Sequence, residues 1–279
     1  MDLGAPYIQR AVLEMLLLAV PAGVLGTWIV LRRLAFFTHA VGTASFPGLV
    51  LASAWGIAPQ AAAVATALGF GVAQERLERG RRVSPDAATG LLLVAALAIG
   101  VVLASDVFES GASVDTLLFG SLLALSDADL WVTAGVALGV VVLDAALARH
   151  WLATGFEPGS ARALGLRPVW ADRLLLAGCG AAAVIALDAV GALLVTVVLV
   201  VPAATVRLCT DRLAHLRRGA VALAAAEGVA AVWLADTANV GAGPAFAVLG
   251  AAVFAAVAIW RRTAPAWRRV RGAQPAVRP

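Results

Sequence analysis

Runs of about 20 apolar residues with almost no charge inside them recur along the whole of this 279-residue chain, and that is the length an α-helix needs to cross a hydrocarbon layer. Inside lipid every backbone N–H and C=O must be satisfied within the protein, so such runs fold as helices. The fold class that follows is all-α, a polytopic integral membrane protein with about eight to nine transmembrane helices. Clear windows lie at Ala11 to Leu31, Phe36 to Gly56, Ala58 to Gln74, Ala87 to Ser105 and Leu130 to Ala148. Four more lie at Leu174 to Leu187, Ala189 to Val206, Gly219 to Ala235 and Pro244 to Trp260; only Asp188 separates the first two, which reads as a tight hairpin. Charged residues make up 14% of the chain against roughly 25% in a soluble domain, which excludes most soluble enzymes. All 21 basic residues are arginine, so neither a Walker A loop nor a Schiff-base lysine exists, and any use of ATP falls to another chain. Cys179 and Cys209 fit neither a zinc-ribbon spacing nor a disulfide framework and read as small apolar residues.

Arginine placement tests the segmentation, because positive charge is retained in short cytoplasmic loops. Every second connection is basic, starting with Arg32 and Arg33 and ending with Arg261 and Arg262 and the tail beyond, and among the arginines only Arg10 falls on the other side. The opposite connections carry Asp106, Glu109, Asp115, Asp127 and Asp236. This places the N-terminus outside and the C-terminus in the cytoplasm, and nine spans keep the parity where eight break it. The first span, preceded by Asp2 and lacking a basic flank, reads as a retained helix and not a signal peptide. The Arg-rich tail reads as a contact with lipid, not nucleic acid.

Two connections are unusual. Residues 149–173 contain GFEPGSARALGLRP, a short helix with Glu157 and Pro158 at its start, Gly165 at its C-cap, and Ala161, Leu164 and Leu166 as an apolar face beside Arg162. It is either a docking helix for a cytoplasmic partner or a linker lying on the membrane surface. The outer connection holds LLFGSLLAL, Leu117 to Leu125, too short to span and either a re-entrant segment or a packing plug.

A titratable side chain at the centre of a membrane helix costs about 2.5–3.5 kcal/mol to insert, so its retention points to a partner, a ligand or an aqueous path. Glu227 sits mid-span with no arginine in its helix. His39 is about a turn inside the second span, Glu14 near the outer end of the first, and Asp188 at the hairpin; Asp144, near a cytoplasmic end, is placed to snorkel. Thr43 lies four residues after His39 and shares its helical face. The small residues Gly42, Ala44 and Ser45 and the Pro47–Gly48 pair around it resemble the lining of a path. An imidazole there either hydrogen-bonds a carbonyl or binds a transition metal, for which zinc is the first candidate and a carboxylate from Glu227 or Asp188 the missing ligand. His150 and His215 fall in basic connections and read as solvated. Pro21, Pro47 and Pro202 interrupt spans, as kinks or as the broken helices of a transporter.

Six motifs in order carry a family resemblance: GTWIVLRRLAFFTHA (Gly26 to Ala40), FPGLVLA (Phe46 to Ala52), LLFGSLLALS (Leu117 to Ser126), GFEPGSARALGL (Gly155 to Leu166), VGALLVTVVLVVPAATVRL (Val190 to Leu208) and DTANVGAGP (Asp236 to Pro244). The chain resembles the zinc/manganese permease family of ATP-binding-cassette importers over nearly its whole length. The resemblance implies a homodimeric, non-enzymatic membrane subunit in a bacterial cytoplasmic (inner) membrane. It would take a divalent metal from an extracytoplasmic binding protein and be driven by an ATPase subunit dimer. It further implies a permease domain over 1–262, a cytoplasmic coupling loop over 149–173 in which Glu157, Ala161, Arg162 and Gly165 meet the ATPase, and an Arg-rich tail over 263–279. No cofactor is expected; zinc, or else manganese, is the cargo. The family pattern has an aspartate eight residues and a histidine four residues before the proline of the Pro-Gly pair, where this chain has His39 and Thr43. Loss of the carboxylate favours zinc over manganese, and His39, Thr43, Glu227 and Asp188 become the candidate metal residues.

Two other classes compete. In a stand-alone secondary transporter Glu227 is the proton-coupling group, and in an intramembrane serine protease Ser121 is the nucleophile, although no histidine is placed to reach it.

Overall fold

The computed structural model describes residues 5–79, 84–107, 122, 125–156, 168–191, 194–238 and 240–263, and all the regular structure among them is helical. The order is α1 (Pro6–Arg32), α2 (Ala35–Ala44), α3 (Phe46–Trp55), α4 (Pro59–Arg79), α5 (Pro85–Val102) with a π-turn at Leu103–Val107, α6 (Asp127–Phe156), α7 (Pro168–Val190), α8 (Val195–Arg207), α9 (Leu213–Ala238) and α10 (Ala242–Thr263). Seven segments among the described residues are long and apolar enough to cross a membrane, with α2 and α3 counting as one. The apolar stretches Ala61–Gln74 and Val195–Arg207 are shorter. Together they reproduce the nine stretches expected.

Local chemistry sets the ends. Pro6 occupies the first turn of α1, and Arg33 closes it in the left-handed conformation at φ 57°. Ser84 caps α5 by accepting from the Ala87 N–H at 3.3 Å, with Pro85 in the first turn. Two expectations need correction. The hairpin does not turn at Asp188, which continues α7; the chain reverses at Gly191, whose φ of +85° a residue with a Cβ rarely adopts. The second span is not continuous either. Pro47 has no N–H to give the Thr43 carbonyl, and the Ser45 N–H turns to Gly42 O at 3.3 Å, so α2 stops and α3 restarts.

Helix α1 is the centre of the bundle, packed by α9, α6, α8 and α7, and 72% of its most apolar window is buried. The corresponding figures of 22% for α5 and 28% for both α6 and α10 mark the periphery. Leu91, Val94, Leu138 and Val248 point outward there, a surface that costs nothing in lipid and a great deal in water. Helices in lipid associate through close packing, and α1 achieves it with glycines. A Cβ on Gly23 would fall on the Val221 backbone and one on Gly26 on the Leu199 carbonyl, so α9 and α8 approach to backbone contact. Hydroxyls buried among the helices bond back to their own turn: Thr27 to Gly23 O at 2.8 Å, Ser45 to Val41 O at 3.0 Å and Thr205 to Val201 O at 2.8 Å.

Several of the titratable groups singled out in the sequence have identifiable surroundings. Glu14 is buried and accepts from the Thr133 hydroxyl of α6 at 2.8 Å. Arg10, the one misplaced arginine, pairs with Asp127 at 2.7 Å. His150 belongs to α6 and not to a connection, with its Nδ1 buried, whereas His215 lies exposed in α9. Asp144 does not snorkel; it is buried where α1, α6 and α9 meet.

Candidate functional site

His39 and Thr43 lie on α2 where it packs on α8. Gly42 makes that approach close, since a Cβ there would sit 3.3 Å from the Val195 side chain. His39 is half-buried, and its Nδ1 lies 3.1 Å from the Thr196 hydroxyl of α8. Thr43 is buried and donates to the His39 carbonyl at 2.9 Å, which fixes the two on one face. If Nδ1–H donates to Thr196, the ring is held in one orientation and the lone pair of Nε2 is left for a cation. Thr196 carried no signal in the sequence; it is one hydroxyl in a β-branched run, and only the packing of α8 on α2 singles it out.

Both segments at this seam are proline-interrupted. Pro47 withholds a donor from the Thr43 carbonyl and Pro202 withholds one from the Val198 carbonyl. Each proline removes one backbone donor near this seam, although α8 runs on through Pro202 and the Ser45 N–H also faces the Thr43 carbonyl.

Glu227 is 4% exposed on α9, and neither carboxylate oxygen has a hydrogen-bond partner among the described residues. Gly250 of α10 lies beside it: a Cβ there would stand 3.6 Å from Oε2, an ordinary contact, and a tighter 3.3 Å from Val201. Thr196 and Val201 are five residues apart on α8, about 140° around that helix, so His39 and Glu227 lie on different sides of it. No group of three His, Cys, Asp or Glu side chains that could hold a metal occurs among the described residues. Asp188 is in the last turn of α7, and its side chain lies outside the described residues, as do Glu157, Ala161, Arg162 and Gly165 of the connection after α6 and the candidate nucleophile Ser121.

A polar cluster missed in the sequence joins the helices that flank that connection. Arg32 at the end of α1 donates to Asp172 of α7 at 2.7 Å and to Thr154 of α6 at 3.2 Å. Trp151 of α6, fully buried, donates its indole N–H to the Ala171 carbonyl at 2.7 Å and meets Trp28 edge-on with ring centroids 5.5 Å apart. Trp28 donates in turn to Asp144 Oδ1 at 2.8 Å, and Arg217 of α9 pairs with Asp144 Oδ2. The sequence offered the arginines only as markers of one side and Asp144 only as a snorkelling acid.

Comparison with known proteins places this architecture. A family profile described as "ABC 3 transport family" matches residues 5–261. The chain is 32% identical to "Manganese transport system membrane protein MntC" of Halalkalibacterium halodurans over 253 residues, covering 91% of this chain and 87% of that one. It is 28% identical to "Manganese import system permease protein ScaB" of Streptococcus gordonii over 248 residues, covering 89% of each. Among solved structures, a chain of "PsaBC from Streptococcus pneumoniae in complex with Fab" superposes with a TM-score of 0.84 at 25% identity, covering 96% of this chain and 95% of that chain.

Proposed function

The chain belongs to the ABC 3 transport family, the metal permeases of ATP-binding-cassette importers, and on that premise we propose that it conducts manganese. The relatives above are named for manganese, which weighs against the zinc preference drawn from the missing aspartate. Manganese favours oxygen donors, and in this reading the Thr43 hydroxyl supplies one at the seam, with the carboxyls of Glu227 and Asp188 elsewhere along the path.

The observation that carries the reading is the hydrogen bond between His39 of α2, which ends just before Pro47, and Thr196 of α8, which carries Pro202 within it. It orients an imidazole without consuming Nε2. A path needs such a ligand to be weak, so that the cation enters and also leaves. In this reading two copies of the chain, spanning 1–262 each, sit in a bacterial inner membrane with the N-terminus outside. An extracytoplasmic binding protein delivers the cation. An ATPase dimer presses on residues 149–173 through Glu157, Ala161, Arg162 and Gly165, and the tail over 263–279 lies on lipid. The chain contributes no catalysis of its own; it supplies the path and the moving helices.

The test is uptake by the full complex in proteoliposomes. ATP-dependent manganese import exceeding zinc import, and lowered at least about tenfold by His39→Ala, is expected. Unchanged uptake in His39→Ala removes the site, and faster zinc import removes the metal assignment. A proton-coupled carrier is the second reading, favoured by the solitary carboxyl of Glu227; it requires uptake without ATP that collapses with the proton gradient and is lost in Glu227→Gln.

A further inference from the structure

A cleft at the arginine-bearing end is lined by none of His39, Thr43 and Thr196. Helices α6 and α9 each rest on α1, and between them lies a cavity of about 620 Å³ with Val24 of α1 among its lining residues. Its walls are apolar, with Val141 and Ala145 on α6 and Ala222 on α9, all three exposed toward the outside of the bundle. Its rim is basic. Arg217 is committed to Asp144, but Arg149 and Arg218 are exposed and pair with no carboxylate among the described residues. Three guanidiniums thus stand against one carboxylate at the mouth of an apolar slot. Arg149 lies seven residues before the end of α6, about two turns, and Arg218 five residues into α9, which places both near the ends of their helices.

A guanidinium fork matches phosphate oxygens in pairs, and basic pockets between membrane helices suit acidic headgroups. We propose that this cleft is a binding site for an anionic phospholipid of the leaflet at the arginine-rich end. The phosphate lies between Arg149 and Arg218, and an acyl chain runs along Val141 and Ala145. Charge and shape favour a lipid over a protein occupant. A soluble acidic segment would meet the rim and leave the walls bare. A second copy of the cleft would bring the same excess of arginine.

The experiment uses the full chain, purified in detergent and offered phosphatidylglycerol and phosphatidylcholine at equal concentration, with retained lipid read by native mass spectrometry. Phosphatidylglycerol should be retained preferentially, and the double variant Arg149→Gln, Arg218→Gln should lower that preference by on the order of twentyfold, about fivefold per arginine. Ala145→Trp, which fills the slot without touching a charge, should lower it as well, while Arg76→Gln, an exposed arginine of α4 away from the cleft, should not. Equal retention of the two lipids, or an undiminished preference in both cleft variants, overturns the proposal. So does weakened self-association or ATPase binding in the double variant with lipid retention unchanged, which makes the cleft a protein interface.

Discussion

Removing the carboxylate of Asp144 strands two partners at once. The residue is 6% exposed, accepts the Trp28 indole N–H at 2.8 Å and neutralises Arg217. In Asp144→Ala the buried N–H loses its acceptor, at a cost of about 1–3 kcal/mol. Arg217 loses its anion; breaking a buried pair costs about 3–5 kcal/mol, and because the Arg217 side chain is 33% exposed most of that is discounted, leaving about 1 kcal/mol. The sum is about 3 kcal/mol. At roughly 2–4 °C per kcal/mol for a domain of comparable size, the midpoint of thermal unfolding falls by about 6–12 °C, measured on the purified chain in detergent by tryptophan fluorescence. Arg217→Ala alone strands Asp144 in turn. The two together leave no unmatched charge, so the double variant should be about 1–2 kcal/mol more stable than the sum of the singles. Strict additivity, or a midpoint in Asp144→Ala within about 2 °C of wild type, refutes the cluster as a coupled unit.

Gly23→Ala places a methyl on the backbone of Val221 and should cost about 1–3 kcal/mol, whereas Gly139→Ala on α6, with nothing within 4 Å, should leave the midpoint unchanged or raise it; the same melts measure both. Thr196→Val keeps the shape of the seam but removes the bond to His39; manganese uptake should drop about tenfold with an unchanged melting midpoint, and Thr196→Ser should restore it.

The spans were readable because lipid imposes a length and a composition that a chain cannot disguise. Windows such as Pro244 to Trp260 fall inside α10 at Ala242–Thr263, and Leu130 to Ala148 inside α6 at Asp127–Phe156. Turns were read less well. Asp188 looked like a stop because it is charged, yet α7 runs on to Val190, and it is Gly191 that holds the left-handed conformation at the turn. The break at Ser45 was visible as Pro47 but not as two separate helices, since proline in a membrane helix produces either outcome depending on its neighbours. His39 and Glu227 stood out because ionisable groups in such spans are rare. Their neighbours did not: Thr196 is 157 residues from His39, and Gly250 comes beside Glu227 only through the packing of α10 on α9. Asp144 was misjudged for the same reason, because its partners Trp28 and Arg217 come from two other helices.

Arg32, Thr154 and Asp172 fasten α6 and α7 to the end of α1 on either side of the segment between them. In the reading proposed above, a push on that segment would reach α1 through these bonds, and α1 meets α8 and α9 at Gly23 and Gly26 with no side chain of its own between. Loss of one of the three side chains would then weaken transmission before it unfolded the bundle.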